Sequence, residues 1–289
     1  MPCNPRDDAQ QKFGRRIPQR VAAVKITFCI ITLNEEKNLR QCLAGCSDVA
    51  DEIVVVDSGS TDGTEEVARK FGARWIHRDW TGYRDQKNHA CGLASNEWVF
   101  SIDADELMSS LLREEVRVLK AAGPGGVAGF CFPRCVFYEG RWIRHGDWYP
   151  DRLVRLFRRH RGRFIGGRVH ERLELDGAIR PLRGDLEHYS FRDREDHWER
   201  CQKYARLWAE DAYESGRRVG PMTPLLHASF RWLRGYVLRA GFLDGRQGFQ
   251  IAGICAREVH LKYRLLRERS DEEPPVPTGT GFGGPKSPG

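Results

Sequence analysis

The sequence predicts an α/β fold built on a doubly wound, mostly parallel sheet, and three observations carry that prediction. Four apolar runs of strand length alternate with helical stretches between Lys25 and Asp103, the pattern of a parallel sheet with right-handed crossovers. These runs are almost uninterruptedly apolar, as strands covered on both faces must be. Three of the four are followed by polar, mostly acidic residues, at the strand ends where open α/β sheets bind ligands.

In order, residues 1–22 are polar and carry Pro2, Pro5 and Pro18, which reads as a flexible lead-in. Lys25–Thr32 is the first strand. Asn34 follows as an N-cap candidate, with Glu35 and Glu36 in the first helical turn, where negative charge suits the helix dipole. Leu39, Leu43 and Cys46 mark that helix's buried face. Glu52–Asp57 is the second strand and leads into Ser58-Gly-Ser-Thr-Asp-Gly-Thr64. Thr61 or Asp62 can cap a helix over Glu65–Phe71, which Gly72 terminates. Arg74–His77 forms a third strand and Tyr83–Leu93 a helix. Trp98-Val-Phe-Ser-Ile-Asp-Ala-Asp-Glu106 then supplies the fourth strand, ending in carboxylates.

A helix is expected from near Leu107 through Leu119, stopped by Gly123-Pro-Gly-Gly126. The pattern then changes. Phe130–Trp142 reads as a hairpin turning at Glu139-Gly140. Arg152–Phe157 and Arg163–Leu175 are shorter strands, so the sheet becomes mixed. Helices follow at Trp198–Tyr213, Leu225–Ala240 and Gly248–Arg269. The expected organisation is a catalytic domain over 23–192, a helical extension over 193–269, and a disordered tail over 270–289, rich in Pro, Gly and polar residues.

Lys and Arg number 47 against 40 Asp and Glu, a formal charge of +7. That excess favours an anionic partner such as a nucleotide, a phosphorylated glycolipid or a membrane surface. The nine cysteines are scattered; Cys42 and Cys46 lie one helical turn apart beside Leu39 and Leu43, so they read as small core residues rather than zinc ligands or disulfides. Reduced thiols, no signal-peptide core and no run of about 20 apolar residues point to a cytosolic protein, touching a membrane from that side if at all.

Taken alone, Asp103-Ala-Asp105 permits two readings: Asp105 caps the next helix, or the two carboxylates hold a hard cation whose shell a diphosphate completes. The preceding loops favour the second. Asn34-Glu35, Asp57 and Asp103/Asp105 follow the first, second and fourth strands and converge on one crevice in a doubly wound sheet. Gly59 and Gly63 allow a ligand to approach the backbone closely. Arg84 and Lys87 are placed to supply positive charge for a diphosphate. There is no Gly-x-Gly-x-x-Gly after the first strand and no Walker loop, which weighs against dinucleotide-binding and NTPase readings.

Ile31-Thr-Leu-Asn-Glu-Glu36, Val56-Asp-Ser-Gly-Ser-Thr-Asp-Gly-Thr64, Gln86-Lys-Asn88 and Ser101-Ile-Asp-Ala-Asp-Glu106 resemble the family 2 glycosyltransferases of GT-A fold. Gly146–Asp151, Arg155–Phe157, Val169-His-Glu171, Glu187-His-Tyr189 and Gly241–Gly245 resemble the branch that transfers glucose to the heptose of the lipopolysaccharide inner core. The likeness runs in matching order from about residue 25 to 265. It implies a Rossmann-like mixed sheet with helices on both faces and a UDP-sugar donor, Leu33–Glu35 and Asp57–Gly59 holding the nucleoside. It also implies that Asp103, Ala104 and Asp105 hold the ribose and a bridging Mg²⁺ or Mn²⁺. The acceptor, a glycolipid or polysaccharide, attacks with inversion and needs a carboxylate to take its proton. Glu171 is the first choice, since a strand-borne acid after the hairpin can face the acceptor, and Asp151, after Trp148-Tyr149-Pro150, is the second; the family's usual Glu-Asp pair at the base position is not plainly present.

His170 and His188 each read either as a metal ligand or phosphate contact, or as a structural hydrogen-bonding residue; His188 is the stronger metal candidate. Trp142, Trp148 and Tyr149 either stack on a sugar or pack in a core. The Arg/aromatic helix Leu225–Ala240 either lies in a membrane interface or packs on the catalytic domain with its arginine stems extended. Other acceptors remain open: a polyprenyl phosphate, a protein or a capsular glycan. A sugar-nucleotide pyrophosphorylase would need a basic Gly-rich loop where Leu33-Asn-Glu-Glu36 stands. A non-enzymatic basic protein of membranes or nucleic acid leaves acids at three sheet loops unexplained, and no nucleic-acid partner is expected.

Overall fold

The computed structural model describes residues 23–166, 171–191 and 193–272. Its first half alternates β1 (Ile26–Thr32), α1 (Glu36–Cys46), β2 (Glu52–Asp57), α2 (Thr64–Lys70), β3 (Arg74–His77), α3 (Tyr83–Gly92) and β4 (Trp98–Asp103). β1 lies between β2 and β4, both parallel to it, with β3 outside β2. Alternate residues of β1 enter two cores. Ile26, Phe28 and Ile30 pack on Leu39 and Leu43 of α1, while Cys29 and Ile31 meet Val54, Val99 and, on α3, Ala90. Helices thus cover both faces, which is why these strands carry no alternating polar residues.

Two expected helix starts move. Leu107 belongs to β5 (Glu106–Met108), and α4 (Ser110–Ala122) begins later, because the Ser109 hydroxyl accepts the Leu112 N–H at 3.2 Å. Ser109, not Asp105, is therefore the cap. Asn34 is not a cap either. It adopts φ +55°, a left-handed conformation Asn tolerates, and its side chain accepts the Thr61 N–H at 2.8 Å. α1 starts at Glu36 without a side-chain cap.

The second half adds β6 (Gly129–Tyr138), β7 (Arg141–Ile143), β8 (Asp151–Arg158), β9 (Gly162–Gly166), β10 (Glu171–Leu175), β11 (Ile179–Pro181) and β12 (Leu186–His188). Glu139 and Gly140 turn the β6–β7 hairpin with φ of +44° and +83°. The main sheet runs β3-β2-β1-β4-β8-β6-β12-β5, and β9 and β10 pair separately as an antiparallel ribbon. β8 is antiparallel to both β4 and β6, so the sheet is mixed, as expected.

The extension comprises α5 (Arg194–Glu214), α6 (Thr223–Leu233), a π-helical turn (Arg234–Leu238), a 3₁₀ turn (Gly241–Asp244) and α7 (Gly245–Glu272). The helix expected through Ala240 thus leaves α geometry at Arg234. Tyr138 and Ile143 of the hairpin pack with Cys201, Ile251, Ile254 and Cys255, joining extension to sheet. At Gly248 any β-carbon would collide with the Gly241 carbonyl, so glycine alone lets the 3₁₀ turn seat against α7. The described cysteines are all free, with Cys42 and Cys46 in the core. Among the described residues no helix is long and apolar enough to cross a membrane.

Candidate active site

The parallel strands place their C-terminal loops side by side. After β2, Asp57 is buried and folds the following turn around itself: it accepts the Gly59 and Ser60 N–H groups at 2.8 Å each, and the Ser60 hydroxyl. The same hydroxyl accepts the Asn34 N–H at 2.8 Å, tying the β1 loop to the β2 loop. Glu35 is tied there too, its N–H donating to Thr64 Oγ1 at 2.9 Å. Burial pushes the Glu35 carboxyl above the usual range, and the Asp105 and Asp62 carboxylates push it further. That repulsion records the convergence of the β1 and β4 loops. Gln86, fully buried on α3, reaches Ser58 Oγ at 3.0 Å, while Leu33 is exposed at the rim. Gly59 takes φ +105°, which a side chain would resist.

Beyond β4 the charges alternate in a chain. Glu171 Oε1 accepts Lys87 Nζ at 2.9 Å, and Lys87 lies 3.1 Å from Asp103. Asp103 Oδ2 accepts Arg155 Nη2 at 3.0 Å, and Arg155 also lies 3.6 Å from Glu106. Glu106 then faces Arg134 at 3.8 Å, and Arg134 bonds Asp151 at 2.7 Å. Lys87 and Arg155 are buried. Burial alone would raise the Asp103 carboxyl, but Lys87 and Arg155 outweigh it and hold the group well below the usual carboxylate range. Burial opposes the charge on Arg155, yet Asp103 and Glu106 raise that guanidinium's pKa. The two candidate bases therefore stand at opposite ends of one network. Glu171 is one lysine away from Asp103, whereas Asp151 is separated from it by Arg134, Glu106 and Arg155.

Asp105 lies apart from that chain. Its Oδ2 is 3.2 Å from His188 Nε2, because β12 pairs antiparallel with β5 and sets His188 opposite Glu106. The Tyr189 N–H donates to the Asp105 carbonyl at 2.9 Å and fixes the bend at Ala104, itself buried. A carboxylate and an imidazole side by side suit Mn²⁺ or Mg²⁺ as a partial donor set through His188 Nε2; Nδ1, the other ring nitrogen, is buried without a partner. Asp103 is engaged by Lys87 and Arg155, and the His188 ring also helps to lower its carboxyl. Among the described residues no three His, Cys, Asp or Glu side chains form a ready metal cluster. The donor chemistry of Asp105 and His188 fits such a cation as a partial set.

Arg84 does not enter this set; it pairs with Asp85 at 2.8 Å and donates to the Gly166 carbonyl at 3.1 Å. His170 lies outside the described residues. Trp148 packs against Tyr138, Phe191 and His197, a core role, and the Tyr149 hydroxyl donates to Asp185 at 2.9 Å. Trp142 sits between Phe137 and Tyr189, beside His188 in sequence. Arg155 and Arg134 were not among the expected site residues. The signal available was an arginine inside the apolar run Leu153-Val-Arg-Leu-Phe157, since an arginine on a buried strand needs a carboxylate partner.

The family model described as Glycosyl transferase family 2 matches residues 27–175. The lipopolysaccharide core biosynthesis glycosyltransferase LpsC of Rhizobium meliloti is 31% identical over 85% of this chain and 95% of its own length. An uncharacterized glycosyltransferase of Rickettsia typhi is 28% identical over 85% of this chain and 88% of that protein. Among solved structures, glucosyl-3-phosphoglycerate synthase from Mycobacterium tuberculosis, in complex with Mn²⁺, UDP and glucosyl-3-phosphoglycerate, is similar with a TM-score of 0.32 and 27% identity, over 41% of this chain and 46% of that one.

Proposed function

This chain belongs to glycosyl transferase family 2, and on that premise we propose that it transfers a hexose, glucose foremost, from a UDP-sugar with inversion. The acceptor in this reading is a lipopolysaccharide-core or other cell-envelope glycan. That the chain is a glycosyltransferase with a GT-A-like mixed sheet follows from the family; donor, metal and acceptor are the proposal. The observation that carries it is the meeting, beyond β4, of an Asp105–His188 pair and a Lys87-bridged pair of carboxylates beside the Asn34 and Asp57 loops. LpsC's role in lipopolysaccharide core biosynthesis supports the acceptor class, since the likeness spans nearly all of that protein.

In this mechanism Leu33–Glu35 and the turn stiffened by Asp57 receive the nucleoside. Asp105 and His188 would hold a divalent cation, which would supply Lewis-acid charge to the departing nucleoside diphosphate. Lys87 adds an ammonium at the same end of the sheet, and by neutralising Asp103 it lets an anionic substrate approach an acid-lined crevice. Glu171, one residue-length of charge away, takes the proton from the acceptor hydroxyl as that oxygen attacks the anomeric carbon.

Purified full-length protein is expected to turn over UDP-glucose with a lipopolysaccharide-core oligosaccharide and Mn²⁺, to stop on EDTA addition and to recover on Mn²⁺ resupply. Undiminished transfer by Asp105→Ala would refute the metal assignment. The base is separated by two variants. Glu171→Gln should lower kcat by about 10²–10⁴-fold with UDP affinity retained, while Asp151→Asn should act mainly through stability. The reverse ranking moves the role to Asp151.

A further inference from the structure

α6 is built inside out. Its buried positions are small, Pro224 and Ala228, followed by Gly235 in the π turn. The large apolar residues from its N-cap into the π turn, Met222, Leu225, Leu226, Phe230, Leu233 and Val237, are exposed and recur at helical spacing on one face. Leu226 is 63% and Phe230 57% accessible. The surface does not end with the helix: Leu238, Phe242, Leu243 and Phe249 extend it across the 3₁₀ turn onto the start of α7. Trp232 and Tyr236 lie against each other at a tilt and meet Phe249 edge-on, the amphipathic rings that favour a boundary between water and hydrocarbon. An apolar surface this continuous marks an interaction site.

Its charge identifies the partner. From Arg217 to Phe249 the sequence has Arg217, Arg218, Arg231, Arg234, Arg239 and Arg246, no lysine, and one acid, Asp244, which is buried and occupied by His145. Three of these arginines, Arg231, Arg234 and Arg239, converge on Asp147 at 2.7, 3.1 and 3.4 Å, so one carboxylate faces three guanidiniums. Two copies of the chain meeting through this face would set arginines against arginines. A layer presenting anionic headgroups above hydrocarbon complements both features at once.

We infer that the face formed by α6, the turns after it and the first turn of α7 lies on an anionic lipid surface, its leucines and phenylalanines entering the headgroup boundary while the positive charge that Arg231, Arg234 and Arg239 hold in excess of their shared Asp147 attracts lipid phosphates. The inference is independent of donor, metal and base, because its readout is vesicle binding rather than turnover.

The test is co-sedimentation of the full chain with phosphatidylcholine vesicles, with and without phosphatidylglycerol. Binding is expected only to the phosphatidylglycerol vesicles. It should be released by salt on the order of 0.5 M, where screening lengths shrink to a few ångström. The pair Leu226→Glu with Phe230→Glu should weaken it by about tenfold or more. Leu238→Glu, 66% exposed in the native chain, serves as an independent second variant. Unchanged thermal melting and UDP affinity show that each variant is folded. Equal binding to both vesicle types, or variants that bind as well as the parent, overturns the inference. So does a concentration-dependent dimer, lost in the same variants, from a chain that ignores vesicles: the face then belongs to a second copy.

Discussion

Lys87 is 2% exposed, with its ammonium held between Asp103 and Glu171. Removing it leaves two carboxylates facing each other at the end of a sheet. Lys87→Met is therefore expected to cost about 3 kcal/mol of stability, the scale of breaking a buried ion pair from one side, measurable as a shift in urea midpoint. It should also reduce transfer well beyond what the stability loss explains. Arg is no substitute, because a planar fork cannot replace a compact ammonium between two acids. Lys87, Asp103 and Glu171 were all readable in the sequence as separate candidates. Their contact was not, since Lys87 and Glu171 are 84 residues apart and no local pattern reports such a distance. Glu106 shows the same limit. It looked like one more acid after the strand, yet it is fully buried, accepts the Asp103 N–H at 2.9 Å and faces two arginines. It supports Asp103 rather than meeting a ligand.

α5 gives the element scale a titration. His197 is buried on it against Tyr138, Trp148 and Phe191, and burial pushes its pKa down to about 4. A folded-state pKa below the ordinary value of about 6.5 means that protons favour the unfolded chain. Stability should be complete above about pH 6.5 and decline as pH falls toward 4, by at most about 3 kcal/mol from this residue. His197→Gln is expected to flatten that decline in melting curves taken between those limits, and an unchanged slope would assign the loss to other groups. The short elements were the harder ones to read. Three-residue β5 reads as part of a helix because Leu107 fits the spacing of Leu111 and Leu119. The real start depends on Ser109, whose removal in Ser109→Ala should cost about 1 kcal/mol. The amphipathic character of α6 was visible, but not its orientation: period alone cannot tell which face meets protein, and small residues at 224, 228 and 235 decide it.

For the whole molecule, strand existence was more readable than strand order. The parallel half follows from alternating apolar runs and crossover helices. The antiparallel half depends on β8 inserting between β4 and β6, a long-range pairing that local sequence does not encode. UDP and Mn²⁺ together are expected to raise Tm by more than the sum of their separate effects, because each supplies a ligand for the other at Asp105 and His188. Asp105→Ala should abolish that synergy while leaving the melting of the free protein nearly unchanged. The bend at Ala104 extends this expectation. β4 and β5 are joined by only Ala104 and Asp105, yet β8, β6 and β12 lie between them in the sheet. Those two residues act as a hyphen between distant halves of the same page. A guest gripped there should slow amide deuteration in β1 and β4 and in β5 and β12 together, so that occupancy at one dipeptide is felt as rigidity both in the middle of the sheet and at its far edge.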